Sequence, residues 1–293
     1  MKLLVLGGSG LLGSALLKRC VGSFDLISTY NNNEISIPNV RSIHISLPND
    51  LSILTEFIIK ENPDVVINTI AHANPDFCES NKEKAYSLHV ELTSKISSIC
   101  SKINSKLIFI SSEYVFDGKK GDYSEKDEPN PVNYYGLTKR LAEMQVLESP
   151  RNSVLRTSVI YGYDKRVRFL NFVLDNLKYE KEILAYDDIF NSPTLIDELV
   201  EAVLRVSTTD VKGIFHTVGS SCVSKFYFAK IIAKAFNLDE TLVKPINIKQ
   251  AGLSAKRPVN ACLNNTFAKK ILGVNFSTVE EGITAVLKKS TLT

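Results

Sequence analysis

The chain has 293 residues, 44% of them hydrophobic and 23% charged. That is enough to bury a core without metal or disulfide staples, and it excludes disordered and fibrous classes. Thirty-five Lys and Arg against 32 Asp and Glu leave a net charge of +3, too small and too evenly spread for a nucleic-acid or membrane-surface binder.

The apolar start, Lys2–Leu6, is cut at once by Gly7-Gly8-Ser9-Gly10. It therefore reads as a strand entering a turn and not as a signal peptide. No run of 18 apolar residues follows, so no spanning helix is expected and a cytoplasmic location is. Strands are predicted at Lys2–Leu6, 24–30, 42–45, 64–69, 106–111 and 153–160, alternating with amphipathic stretches. Leu11–Cys20 and Leu51–Glu61 are two of these. The clearest is 83–104, where Ala85, Leu88, Leu92, Ile96, Ile99 and Ile103 recur every three or four residues. Strands separated by helices of this length predict an α/β fold with a doubly wound parallel sheet, binding ligands at the carboxyl ends of its strands. Residues 117–133, with two glycines and two prolines, read as a long loop of functional type. Helices are expected at 196–206 and 225–236, and a last strand at 213–218. The expected division gives 1–162 and 191–218 to a dinucleotide-binding part, and 163–190 and 219–293 to a smaller substrate-binding lobe.

Five cysteines (Cys20, Cys78, Cys100, Cys222 and Cys262) are odd in number, scattered and without a CxxC. They predict unpaired buried thiols in a reducing compartment, and no zinc site. His44 and His216 fall inside strand patterns and receive no role.

Three groups carry chemistry. Gly7, Gly10 and Gly13, or Gly8, Gly10 and Gly13, lie between the first strand and the first helix. Absent Cβ atoms there let backbone approach a pyrophosphate at a helix N-terminus. The acid that usually binds the ribose hydroxyls of NAD is replaced by Tyr30-Asn31-Asn32-Asn33. With no acid to repel a 2′-phosphate, NADPH is favoured over NADH, and both stay open. Tyr135 and Lys139, at i and i+4, share a helix face, where an ammonium would lower a phenol's pKa. A second such pair, Tyr161 and Lys165, has no helix to align it. Ser111-Ser112 ends a strand at the edge expected to face the cofactor.

With these in hand the chain resembles the short-chain dehydrogenase/reductase superfamily in its extended, Rossmann-like branch. The segment from Ile110 to Gly118 (ISSEYVFDG) is similar to the STDYVFDG segment of dTDP-4-dehydrorhamnose reductases. Asn130-Pro131-Val132-Asn133-Tyr134-Tyr135-Gly136, Arg156-Thr157-Ser158-Val159-Ile160-Tyr161-Gly162, Ser192-Pro193-Thr194 and Lys256-Arg257-Pro258 match in the same order. The resemblance implies a reductase forming dTDP-L-rhamnose from the 4-keto sugar with NADPH or NADH and no metal. Tyr135 would be the acid to O4, Lys139 its tuning partner on the nicotinamide ribose, and Ser112 the group polarising the carbonyl. Gly7, Gly10, Leu11, Leu12, Gly13, Tyr30, Ser46, Asn68 and Ala71 would line the cofactor, with Tyr135 and Lys139. His72, Asp76, Tyr114, Phe116 and Arg257 would meet a nucleotide-sugar substrate, Arg257 through its diphosphate.

Departures from the family pattern are Ala73, Asn74-Pro75, Ser46 where an aspartate is usual, Glu113 for aspartate, and His89 for an asparagine of the proton relay. Pro75-Asp76 and Glu79 also resemble the regulatory subunit of methionine adenosyltransferase, a non-catalytic nucleotide binder. An epimerase or dehydratase of the same branch is a further reading. A homodimer is compatible with the sequence.

Overall fold

The computed structural model describes residues 1–291. In chain order the elements are β1 (Lys2–Leu6), α1 (Leu11–Cys20), β2 (Asp25–Tyr30), β3 (Val40–His44), α2 (Leu51–Glu61), β4 (Val65–Asn68), α3 (Pro75–Ser80), α4 (Lys82–Tyr86), α5 (Leu92–Lys102), β5 (Lys106–Ser112), α6 (Tyr134–Leu147), β6 (Ser153–Thr157) and β7 (Ile160–Tyr161). There follow α7 (Arg168–Leu177), β8 (Ile183–Tyr186), β9 (Phe190–Asn191), β10 (Thr194–Leu195), α8 (Ile196–Thr208), β11 (Gly213–His216), β12 (Val223–Ser224), α9 (Lys225–Ala235), β13 (Val243–Ile246), α10 (Thr266–Leu272) and α11 (Val279–Ser290).

Seven strands form one parallel sheet in the order β11-β6-β5-β4-β1-β2-β3. Side chains alternate between its faces, as strand geometry requires. Leu3, Val5, Ile67, Ile108 and Leu155 pack under α1 and α8. Leu4, Leu6, Val66, Phe109 and Val154 pack under α2, α5 and α6. Both faces are buried, so the strands read as continuous apolar runs. The order reverses at β1, which puts the glycine turn and the loop after β4 at the crevice where such sheets bind ligands.

Two expected elements are broken. The helix expected at 83–104 is interrupted by a π-helical turn at Ser87–Glu91. That turn buries three consecutive residues, Leu88, His89 and Val90, which a regular α-helix facing one core does not do. The strand expected at 153–160 ends at Thr157. Val159 takes a positive φ of 36°, strained for a β-branched residue, and β7 pairs with β10 outside the main sheet.

A third apolar cluster, with Tyr161, Leu170, Ile183, Phe228, Ile232 and Ile283, gathers α7, α9, α11, β8 and β13. The expectation of five unpaired thiols is corrected here, because Cys222 and Cys262 form a disulfide across 40 residues of sequence. Sequence spacing hides it. β12 pairs with β9, and Asn260 bridges to Phe190 of the same β9, so that strand brings the two cysteines together. Cys20, Cys78 and Cys100 are free and buried.

Candidate active site

The glycine turn forms as its residues dictate. Gly7 adopts φ +83°, and a Cβ on Gly13 would press on the Gly7 carbonyl and within 2.8 Å of the Gly8 Cα. No side chain caps the start of α1, so the amides of its first turn remain free for an anion. Leu11 and Leu12 stand there, Leu12 buried. Arg166, from the loop before α7, donates to the carbonyls of Ser9 (2.8 Å) and Gly10 (3.0 Å) and is paired with Asp164. Sequence reasoning missed it, since nothing local connects residue 166 to residue 9.

Along the same edge, Tyr30 closes β2 with its ring against His44. The amide of Ser46 donates to the carboxylate of Asp50 at 2.8 Å, so an acid reaches this position from four residues on. Asn68 is buried, its Oδ1 accepting from the Ile70 amide and its Nδ2 donating to Thr93; it shapes the turn after β4. The loop Ala71–Asn74 is exposed.

Ser112 ends β5 and Tyr135 lies in the first turn of α6. Asn133 fixes the start of that helix, with Oδ1 accepting from the Gly136 amide (2.9 Å) and Nδ2 donating to the Lys256 carbonyl (2.7 Å). Gly136 allows α6 to settle on the chain at Tyr114, whose carbonyl a Cβ would strike. The Ser112 hydroxyl donates to Oε2 of Glu113 at 2.8 Å. Burial and then the Glu113 carboxylate push the Tyr135 phenol well above its ordinary value, opposed by the Ser112 side chain beside it. Tyr135 is therefore a neutral proton donor at ordinary pH. Burial likewise pushes Glu113 up, opposed first by the Ser112 hydroxyl.

Lys139, expected to tune Tyr135, is itself buried. Its ammonium donates to the Ile110 carbonyl at 2.6 Å and lies 4.0 Å from the centre of the Phe109 ring. Burial pushes it down to about 7 against the pull of Glu143. Ser112, its proton on Glu113, is the neighbour that opposes the rise of the Tyr135 phenol. Beneath Lys139, Glu143 accepts from Ser111 (2.6 Å) and is held bidentately by Arg156 (2.9 and 2.8 Å), all of them buried. Arg156 Nη1 meets Nε2 of His216, whose Nδ1 donates to the Tyr123 carbonyl. His216, given no role from sequence, thus braces this ion pair.

His89 and His72 meet across the helix break. The His72 amide donates to Nε2 of His89 (3.0 Å), so Nδ1 carries the proton and donates to Thr138 Oγ1 (2.8 Å). Thr138 in turn donates to the Tyr135 carbonyl (2.9 Å). Burial, then Lys139 and His72, push His89 down to about 3. It is a neutral strut between the exposed loop and the helix of Tyr135.

Asp76 and Arg257, both expected at the substrate, are brought together. Arg257 Nη2 lies 2.5 Å from Asp76 Oδ2, and Nη1 donates to the Ala255 carbonyl at 2.6 Å. Burial would raise Asp76, yet Arg257, the Ala255 amide and the Ser254 hydroxyl hold it at about 2. Tyr114 stacks edge-on to Tyr135 with centroids 5.5 Å apart. Phe116 was expected at the substrate. It is fully buried, stacked on Tyr123 and beneath Arg156, because the turn after Ser112 points it into the core.

A family model described as the RmlD substrate binding domain matches residues 1–292. The chain belongs to that family. A solved hypothetical dTDP-4-dehydrorhamnose reductase from Sulfolobus tokodaii is 37% identical, with a TM-score of 0.87 over 96% of this chain and 99% of that one. A dTDP-4-dehydrorhamnose reductase of Aggregatibacter actinomycetemcomitans is 28% identical, over 93% of this chain and 94% of its own. The methionine adenosyltransferase 2 subunit beta of Bos taurus is 29% identical, over 90% and 80%. Both resemblances of this RmlD-family chain are thus met among its relatives. Among the described residues no helix is long and apolar enough to cross a membrane, and no cluster of His, Cys, Asp or Glu could hold a metal.

Proposed function

We propose that this RmlD-family protein is an NAD(P)H-dependent reductase of a nucleotide-linked 4-keto sugar, with dTDP-4-dehydro-L-rhamnose as the substrate. The observation that carries the reading is the meeting of Ser112 and Tyr135, above Lys139, on the edge of the sheet that holds the uncapped glycine turn. Residues 1–162 and 191–218 serve as the dinucleotide-binding part and 163–190 and 219–293 as the substrate lobe.

The free amides at the start of α1 and the room left by Gly7 and Gly13 fit a pyrophosphate. A bound NAD(P)H supplies the hydride, and the protein's own groups handle the proton. Tyr135, kept neutral by burial, donates to the sugar's O4. As the proton leaves, the Ser112 hydroxyl turns from Glu113 to donate to the phenolate. Lys139, anchored on the Ile110 carbonyl, sits where a cation would meet ribose hydroxyls. The absence of an acid in residues 30–33 favours NADPH over NADH.

The test follows cofactor oxidation with dTDP-4-keto-6-deoxyglucose and the matching 3,5-epimerase. Wild type is expected to oxidise NADPH in an epimerase-dependent manner. Tyr135→Phe is expected to lower kcat by about 10²–10⁴ with cofactor affinity intact. Unchanged turnover in that variant would refute the mechanism. The beta-subunit relatives favour a second reading, a nucleotide-binding regulator. Cofactor binding without oxidation, together with a stable heteromeric complex, would select it.

A further inference from the structure

Arg166 stands on a short turn between β7 and α7 that fixes its backbone. Its amide donates to Oδ1 of Asp164 (2.9 Å), the Val167 amide donates to the Asp164 carbonyl (3.1 Å), and Val167 is buried in the third apolar cluster. From there the guanidinium places all of its N–H groups. Nε and Nη2 grip the two carboxylate oxygens of Asp164 (2.8 and 2.6 Å). Nη2 also donates to the Ser14 hydroxyl, and Nη1 to the carbonyls of Ser9 (2.8 Å) and Gly10 (3.0 Å).

Those two carbonyls belong to the peptides that build the glycine turn. A trans peptide is planar, with its N–H and C=O pointing to opposite sides. Opposite the Ser9 carbonyl is the Gly10 amide, which closes the turn on the Gly7 carbonyl at 3.0 Å. Opposite the Gly10 carbonyl is the Leu11 amide, in the uncapped first turn of α1. A cation bonded to a carbonyl fixes the peptide plane and polarises the N–H on its far side into a stronger donor. A cation beside a helix N-terminus is unfavourable in itself, and the Asp164 carboxylate offsets it.

We propose that Arg166 is a positioning residue for the diphosphate of NAD(P)H, acting through the Ser9–Gly10 and Gly10–Leu11 peptides. Its donors are all engaged, so it orders the amides that meet the ligand and does not meet the ligand itself. The inference rests on the cofactor reading above and extends it, because it makes the loop leading into α7 part of the cofactor site.

Calorimetric titration of NADPH and NADH tests it. The Arg166 side chain is 38% exposed, so its replacement spares the core. Arg166→Met is expected to weaken both cofactors roughly tenfold, the loss of about one charge-assisted hydrogen bond. Arg166→Lys, which keeps the charge without the planar fork, is expected to lose less. 2′-AMP, which has no diphosphate, is expected to bind wild type and Arg166→Met alike. The rise in urea midpoint that NADPH gives the wild type is expected to shrink in Arg166→Met. Asp164→Asn added to Arg166→Met is expected to leave the affinity as low. Wild-type NADPH affinity in Arg166→Met overturns the assignment. Recovery in the double variant also overturns it, by tracing the loss to a bare Asp164 carboxylate. An equal loss for 2′-AMP overturns it as well, since the whole site has then loosened. If the wild type binds neither NADPH nor NADH, the cofactor reading fails and the assignment fails with it.

Discussion

An ammonium buried without a carboxylate in contact drifts toward its neutral form, and Lys139, 1% exposed, does so with a carbonyl and a ring face for company. Its folded pKa of about 7 lies below its ordinary 10.5. Between those values the unfolded chain holds a proton that the folded chain has lost, so this residue makes stability rise with pH over that window. Lys139→Met should therefore be inactive yet more stable than the wild type at pH 7, with the advantage shrinking towards pH 10. Urea midpoints at both pH values would decide this, and a variant less stable at pH 7 would count against it. Ser112, Tyr135 and Lys139 were legible from sequence because strand end and helix spacing are local properties. The engagement of Lys139 with Ile110 was not, since a side chain's partner across 29 residues leaves no periodic trace. Glu143 and Arg156 escaped for the same reason.

At the scale of elements, six predicted strands and the first two helices reflect runs of apolar residues bounded by turn residues, and these are found nearly where expected. The misses share one cause: a tertiary demand overrode a local pattern. Spacings of three and four run straight through 83–104, but a π turn is needed to set His89 between His72 and Thr138. The apolar run 153–160 looks continuous, but the backbone turns at Val159 to leave the main sheet. The disulfide is a third case, since β9 brings the cysteines together. Closing a loop of 40 residues stabilises by about 4 kcal/mol in the chain-entropy account. Cys222→Ser should lose an amount of that order in chemical denaturation. A loss under about 0.5 kcal/mol would show that the bond adds little to the surrounding contacts.

At the scale of the whole molecule, polar ties join distant parts of the sequence. Arg166 reaches the glycine turn, Asn133 holds the Lys256 carbonyl, and Arg257 pairs with Asp76, 181 residues away. Asp76 is held at about 2, below its ordinary 3.8. Its contribution to stability is thus complete above about pH 4 and is lost as pH falls through 2. Asp76→Asn should melt below the wild type at pH 6, with the gap closing as both are taken to pH 2; a gap independent of pH would mean the charge is not what holds the segment. None of these ties was legible, although Asp76 and Arg257 were each singled out, because sequence names residues and not their distances. The route of the chain has a consequence for anyone cutting the gene. After β6 the backbone leaves the seven-stranded sheet, contributes Leu170, Val173 and Ile183 to the third apolar cluster, and returns as α8 and β11 before leaving again to supply Phe228, Ile232 and Ile283. No single stop codon or start site separates the two parts. A fragment ending at His216 would keep the full sheet while carrying half of a foreign core uncovered, a sticky surface that should make it aggregate.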